Sequence, residues 1–312
     1  MTYFACFGYP GLIGLLFSCA IIAFCGAKAL LAVRTYDIQD PHMFNKTVGG
    51  NVCGRFITVC CGLFSYSAYI VVLAGMKQLC NGSIIPVIIA SVCAYLVLCR
   101  GFGALTKICG IFAPLLAGVI AVVVFVGAVS SGRHTTAPEV EYLKPSALMA
   151  LKVLLYAGYN VLTSVCVLGR CRSLLEKKRN AILGGMFGGV MLFVSASAVL
   201  FGLVYAKTPP NAGEMPVVEI FAAKESFRFI YFIVKGTIFA AMFLSAITGL
   251  TGTSVFFTEY MPEKQLGLIM GIAAIPATYV SFGNLMDLLY PIFGVAGIFL
   301  IIVLALMGNK KV

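Results

Sequence analysis

Long apolar runs separated by short polar connectors dominate the pattern of the chain. Nine such runs cover residues 11–33, 53–79, 84–99, 106–130, 147–169, 182–205, 229–257, 265–282 and 284–307. Each is long enough, or nearly so, to cross a hydrocarbon core of about 30 Å as a helix. The runs are continuous rather than alternating, which argues against an all-β protein. The pattern therefore predicts an all-α polytopic membrane protein.

Two of the connectors resemble each other. The stretch "RTYDIQDPHMFNKTVGGNVCGRF" follows the first run, and "KTPPNAGEMPVVEIFAAKESFRF" follows the sixth. Pro41 and Pro216 each suit the first turn of a helix, and mixed polar and apolar residues follow them. We predict short amphipathic helices over 40–50 and 214–226. They would lie on opposite sides of the membrane, as an inverted repeat requires.

Alignment of the two connectors divides one transmembrane domain, residues 1–312, into two halves. The first repeat covers 1–130, an outer linker covers 131–146, and the second repeat covers 147–312. The second half has five runs and the first half four, so the run 147–169 has no counterpart. We expect a five-plus-five fold from which the first helix is missing, with residues 1–10 as an outer tail.

Composition supports the membrane assignment, since 61% of the residues are hydrophobic and the mean hydropathy is +1.03. A soluble domain cannot bury that much apolar surface. The net charge of +11 lies in the connectors and does not indicate nucleic acid. Thirteen lysines and arginines fall on one side of the predicted spans and six on the other. The richer side should be cytoplasmic, which places the C-terminus inside and the N-terminus outside.

The sequence shows no signature of a metal site or an enzyme. Most of the twelve cysteines lie in apolar runs, where cysteine behaves as a small hydrophobic residue. No CxxC pair, HExxH motif or Ser/His arrangement is present. We expect no enzymatic activity, no cofactor and no bound metal.

Polar residues interrupt the run 147–169 at "YAGYNVLTS". We predict a break in the helix between Tyr156 and Asn160, because unwound turns bind substrates in transporters. The alternative is that Gly158 packs against a neighbouring helix and Asn160 forms an interhelical hydrogen bond. The candidate substrate-binding residues are Tyr156, Ala157, Gly158, Tyr159, Asn160, Thr163 and Ser164, together with Tyr66, Tyr69 and Gly75 of the second run.

The seventh run carries a second polar stretch, "LSAITGLTGTSVFF". Its hydroxyls and carbonyls form a candidate Na⁺ site at Ser245, Thr248, Gly249 and Thr251. The alternative is that the hydroxyls bond back to their own helix. Lys235 and Asp287 are gate candidates, although a lysine near a helix end also reaches the interface by snorkelling.

Four segments resemble the YkvI family of bacterial membrane proteins: "GLIGLLFSCAIIAFCGAKAL" at 11–30, "YIVVLAGMKQL" at 69–79, "YAGYNV" at 156–161 and "FGNLMDLLYPIFGVAGI" at 282–298. These proteins are distant members of the amino acid–polyamine–organocation transporter superfamily. The resemblance implies the LeuT-type five-plus-five inverted repeat, in which the nine runs correspond to helices two to ten. Members of the family begin with a glycine-rich helix, and this chain starts near the end of that helix.

The leading hypothesis is secondary active transport of a small organic solute, an amino acid or amine, by alternating access in the cell membrane. Coupling to Na⁺ or H⁺ fits the same hypothesis. The alternative is a non-transporting sensor or partner-binding module derived from the transporter fold. The partners expected are the solute and the lipid bilayer, and the sequence leaves the oligomeric state open.

Overall fold

Helices form nearly all of the computed structural model of this chain. The structure describes residues 2–131, 142–205, 228–258 and 261–307, together with residues 215, 217–218 and 221. Its helices are α1 Thr2–Ala5, α2 Gly11–Thr35, α3 Pro41–Leu79, α4 Ile85–Cys99, α5 Phe102–Ser131, α6 Ala147–Leu168, α7 Lys178–Tyr205, α8 Arg228–Phe256, α9 Glu263–Ala277 and α10 Phe282–Leu306. A short 3₁₀ turn, Arg172–Leu174, follows α6.

Each of the nine predicted spans corresponds to one helix, α2 to α10, which confirms the all-α prediction. Seven of these helices are long and apolar enough to cross a membrane, judged by length and composition. The other two, α4 and α9, have 15 residues each. Such a helix is about 22 Å long, less than a typical hydrocarbon core. The two short helices pack against each other and against α8.

The predicted connector helix at 40–50 is present as the first part of α3. The Asp40 carboxylate accepts a hydrogen bond from the backbone N–H of Met43 at 2.8 Å, and Pro41 occupies the first turn. Gly50 ends this segment with φ 71° and ψ −166°, a conformation that glycine adopts without strain. Of the counterpart at 214–226, the described residues 217–218 and 221 are helical, and Val218 and Phe221 are buried. The remaining residues of that prediction lie outside the described residues.

The helices form two packing groups. In the first group, α2 packs on both α6 and α7. In the second, the C-terminal part of α3 packs with α4, α8 and α9 around a separate apolar cluster that includes Tyr69, Leu73 and Leu250. Helix α5 contacts α7 and α8, and α10 contacts α6 and α3, so both connect the groups.

Helices α2 and α7, which the predicted repeat relates to each other, cross through small residues. A Cβ atom on Gly185 would overlap Ala27, and one on Gly189 would overlap Ala23. Close approach of this kind is the usual way in which membrane helices associate. Helices α3 and α8, the next related pair, also pack against each other.

Side chains at the helix ends link residues that the charge count assigned to the same side. On the predicted inner side, Arg170 after α6 forms an ion pair with Glu263 of α9 at 3.0 Å. On the predicted outer side, Lys77 near the end of α3 donates a hydrogen bond to the carbonyl of Thr278 at 3.5 Å. The alternation of sides along the chain is therefore consistent in three dimensions.

Candidate functional site

Helix α6, which carries most of the predicted site, is continuous from Ala147 to Leu168. The predicted break between Tyr156 and Asn160 is wrong. The Asn160 amide donates to the carbonyl of Tyr156 at 2.7 Å, Thr163 donates to the carbonyl of Tyr159 at 2.7 Å, and Ser164 donates to that of Asn160. These polar side chains bond along their own helix, so no unwinding is needed to satisfy them.

Gly158 lies at a close crossing of α6 and α10. A Cβ atom added to Gly158 would overlap the carbonyl oxygen of Gly294, and one added to Gly297 would overlap the backbone of Gly158. The glycine therefore removes a side chain to admit a helix backbone. The packing alternative is correct for this residue.

An aromatic row extends from the N-terminal segment across α6 to α10. Phe4 meets Tyr156 edge to face with ring centroids 5.4 Å apart, and Tyr156 meets Tyr159 at 5.3 Å. Tyr159 meets Tyr290 of α10 at 4.7 Å. Phe4 is fully buried, so this part of residues 1–10 packs against the helices rather than forming a free tail, and its outer location stays a prediction. The apolar ring is buried against α2 and α6.

The predicted α6 residues differ in their accessibility. Tyr156, Ala157 and Gly158 are buried, whereas Tyr159, Asn160 and Ser164 are half-buried and Thr163 is exposed. One partly open face of α6 therefore presents a phenol ring, an amide and two hydroxyls. This face is the part of the predicted substrate site on α6 that neighbouring helices leave partly uncovered, and its role in binding stays a prediction.

The α3 residues of the predicted site point to other helices. The hydroxyl of Tyr69 lies 3.0 Å from that of Ser91 on α4, and the hydroxyl of Tyr66 donates to the carbonyl of Met270 on α9 at 3.4 Å. Gly75 faces Met242 of α8 and Phe282 of α10. The described contacts of these three residues are therefore with α4, α8, α9 and α10, and their role in a substrate site stays a prediction.

The hydroxyls of the candidate cation site bond back to α8. The acceptors of Ser245, Thr248 and Thr251 are backbone carbonyls three or four residues earlier, at 2.8–3.2 Å. Gly249 packs against Tyr69 and Ser65 of α3. A hydroxyl that donates to a carbonyl retains lone pairs, so these contacts leave the Na⁺ assignment as a prediction. Within the described ranges, no group of three His, Cys, Asp or Glu residues converges on a metal site.

A buried polar contact that the sequence pattern does not indicate joins α3, α6 and α8. The Ser65 hydroxyl lies 3.0 Å from the Cys166 thiol, and a Cβ on Gly252 would meet both side chains. In the sequence, Ser65 and Cys166 resemble ordinary core residues of apolar runs. The contact between them is visible only in the three-dimensional structure.

The two gate candidates lie apart from that contact. Lys235 is half-buried, and its ammonium lies 5.7 Å from the centroid of the Tyr231 ring one turn earlier on α8. Asp287 is exposed on the first turns of α10. Their role as gates stays a prediction.

A pocket of about 510 Å³ lies where the connector helix, the main part of α3 and the end of α8 meet. Basic side chains and two phenylalanines line it. The basic residues were visible in the connector sequence, but their convergence depends on the turn at Gly50, which the sequence pattern does not specify. We call this cavity the basic pocket.

Comparison with solved structures identifies the class of fold. The chain matches the structure of MhsT in complex with L-phenylalanine with a TM-score of 0.60 and 16% sequence identity, over 96% of this chain and 83% of MhsT. The protein therefore has the fold of LeuT-type transporters, and the predicted fold class is confirmed.

Two proteins of Bacillus subtilis are similar to this chain in sequence. The chain is 24% identical to the membrane protein YkvI of Bacillus subtilis (strain 168) over 306 residues, which cover 94% of this chain and 85% of YkvI. It is 26% identical to YyaD of the same organism over 160 residues, 48% of this chain and 45% of YyaD. No protein-family profile matches the chain. The resemblance to YkvI is confirmed, and the chain is a multi-pass membrane protein.

Proposed function

We propose that this protein is a secondary active transporter of a small organic solute, an amino acid or amine. The observation that carries the proposal is the transporter fold, which extends over 96% of the chain. MhsT, which shares this fold, was crystallised with the amino acid L-phenylalanine. A fold alone does not specify a substrate, so the proposal also rests on the chemistry of the α6 face.

The two packing groups supply the moving parts for alternating access. Helices α2, α6 and α7 form one body, and α4, α8 and α9 with the C-terminal part of α3 form the other. Where α6 approaches α3 and α8, the contact is made by small side chains such as Ser65 and Cys166. Small residues at an interface allow one body to rock or slide on another at low steric cost.

The partly open face of α6 would hold the solute. Tyr159 offers a ring face, Asn160 an amide, and Thr163 a hydroxyl, which together suit a small molecule with one polar and one apolar end. The helix is continuous, so its backbone groups are already paired and binding depends on side chains. Na⁺ coupling through the α8 hydroxyls, or H⁺ coupling, belongs to the same proposal, and no cofactor is required.

Uptake into proteoliposomes tests this proposal. The purified chain is reconstituted and offered a panel of radiolabelled amino acids and amines, including L-phenylalanine, with imposed Na⁺ or H⁺ gradients. We expect concentrative uptake of at least one solute, and its loss in Asn160→Leu. Ser197→Ala serves as the control, since Ser197 is a half-buried hydroxyl of α7 that donates to the carbonyl of Val194 in its own helix at 3.1 Å. Failure of the whole panel under both gradients would overturn the proposal.

The second candidate is a non-transporting sensor or partner-binding module with the transporter fold. One observation favours it: Asn160, Thr163 and Ser164 all bond to their own helix, which leaves fewer groups to release and rebind a solute. Saturable solute binding in detergent without any uptake in proteoliposomes would distinguish this candidate from a transporter.

A further inference from the structure

The basic pocket forms because the connector helix folds back onto the main part of α3. A Cβ atom on Gly54 would lie 2.6 Å from the carbonyl oxygen of Asn45 and 2.8 Å from the Cα of Lys46. The Asn45 amide also donates to the Thr58 hydroxyl at 3.2 Å. These contacts bring the side of the connector helix that carries Lys46 beside Arg55 of the main segment.

Positive charge dominates the polar part of this pocket. Lys46 and Arg55 line it together with the imidazole of His42. Both cationic side chains are exposed, and neither takes part in an ion pair within the described part of the chain. The described lining includes no carboxylate. The site is therefore complementary to an anion, and Asn51 and Thr58 add neutral hydrogen-bonding groups.

The other wall of the pocket is apolar and continues into the surface of α3. Val59, Phe256 and Phe257 line this wall. Along α3, the side chains of Val52, Phe56, Val59 and Leu63 are each more than half exposed, and their spacing places them on one face of the helix. This apolar stripe is about 16 Å long, roughly half of a hydrocarbon core.

We propose that the basic pocket binds the phosphate headgroup of an anionic phospholipid. Lys46 and Arg55 would contact the phosphate, and one acyl chain would lie along the apolar stripe from Val52 to Leu63. Basic pockets at the membrane surface are suited to such headgroups. This site does not depend on the transport proposal, because it lies between the connector helix and α8 and is measured by binding alone.

The combination of features favours a lipid over a free phosphate. A soluble anion would contact the charged side chains but would leave Val59 and the rest of the apolar stripe uncovered. A phospholipid satisfies both walls, and the stripe matches the depth of one leaflet. The two sources share the phosphate chemistry, so the experiment must separate them.

The test measures binding of phosphatidylglycerol with a fluorescent acyl label to the full chain in detergent micelles, with labelled phosphatidylcholine as the neutral probe. We expect phosphatidylglycerol to bind more tightly. Lys46→Gln and Arg55→Gln should each weaken it about fivefold, and the double variant about thirtyfold, from the usual contribution of one cation near an anionic lipid. Lys107→Gln, an exposed lysine on the same predicted side, should have no effect.

Three results would overturn the proposal. The first is equal affinity for the two lipids, and the second is an equal loss in Lys107→Gln and the double variant. The third is displacement of the lipid by inorganic phosphate at concentrations similar to those of unlabelled phosphatidylglycerol, which would assign the pocket to a soluble anion. Thermal unfolding of each variant confirms that the exposed substitutions leave the fold intact.

Discussion

Gly158 of α6 and Gly294 of α10 bring two membrane helices into backbone contact. A side chain at Gly158 would overlap the carbonyl oxygen of Gly294. Gly297, also in α10, packs directly against the backbone of Gly158. The crossing lies directly beside Tyr159 and Asn160, so it fixes the position of the predicted substrate face. The glycine sets how closely α10 packs against that face.

Substitution of Gly158 should therefore destabilise the protein. Overpacking a close contact costs about 1–3 kcal/mol, so we expect Gly158→Ala to lower the free energy of unfolding by that amount. Unfolding can be followed with a thiol-reactive dye, since cysteines such as Cys19, Cys61 and Cys166 are buried in the folded protein.

Gly188→Ala is the matched control for this measurement. Gly188 is also in a membrane helix, but nothing lies within 4 Å of the position where a Cβ would be. Alanine is favoured over glycine in a helix interior by about 0.5–1 kcal/mol, so this variant should be neutral or slightly stabilised. Equal losses in the two variants would contradict the role assigned to the α6–α10 crossing.

The sequence predicted the elements of this fold better than their contacts. Uninterrupted apolar runs leave few alternatives to membrane helices, which is why all nine runs contain helices. In contrast, the sequence alone does not distinguish a glycine that interrupts a helix from a glycine that allows a neighbouring helix to approach closely. Gly158 is a packing residue because it contacts Gly294 and Gly297, which lie more than 130 residues away in the sequence.

The same limit applies to the basic pocket and to the α3 part of the predicted site. Lys46 and Arg55 are nine residues apart in sequence, and they converge only because Gly50 turns the chain. Tyr69 is a candidate site residue because of its residue type, but its hydroxyl forms a hydrogen bond with the hydroxyl of Ser91. Which side of a helix faces which neighbour depends on long-range packing, and a single sequence does not contain that information in readable form.

The ion pair between Arg170 and Glu263 should stabilise the link between the loop after α6 and the first turn of α9. The guanidinium meets both carboxylate oxygens, at 3.0 and 3.5 Å, and the side chains are 21% and 30% exposed. We expect a double-mutant cycle with Arg170→Gln and Glu263→Gln to give a coupling energy of about 0.5–1 kcal/mol.

A second ion pair provides the comparison. Arg172 and Asp37 lie 2.6 Å apart, but their side chains are 33% and 68% exposed. Greater exposure means stronger solvent screening, so the same cycle with Arg172→Gln and Asp37→Asn should give the smaller coupling energy. If the more exposed pair is the stronger one, burial is not the factor that controls these contacts.

Cys171, in the loop after α6, should react slowly with maleimides at neutral pH. Burial raises the pKa of its thiol to about 11, and the thiolate is the reactive form. At pH 8 only about one molecule in a thousand carries the thiolate. The labelling rate should therefore rise about tenfold for each pH unit until the pH approaches the pKa.

Peptide mass spectrometry of the labelled protein can measure the labelling rate of Cys171 without replacing any of the other cysteines. Cys53 is exposed and serves as an internal reference for access of the reagent to the predicted inner side. A labelling rate for Cys171 that equals the rate for Cys53 at pH 8, or that does not change with pH, would argue that the thiol is not buried in solution.

The orientation of the chain in the membrane is the last prediction. Cys53 and Cys80 lie near opposite ends of the main part of α3, about 40 Å apart along the helix axis. That separation exceeds the hydrocarbon core of about 30 Å, so the two thiols should lie on opposite sides. The excess of lysine and arginine, thirteen residues against six, places the Cys53 side in the cytoplasm. An impermeant maleimide added to intact cells should label Cys80, and Cys53 only after the cells are permeabilised. The reverse pattern would place the C-terminus and the basic pocket outside, and labelling of both thiols in intact cells would contradict a membrane-spanning α3.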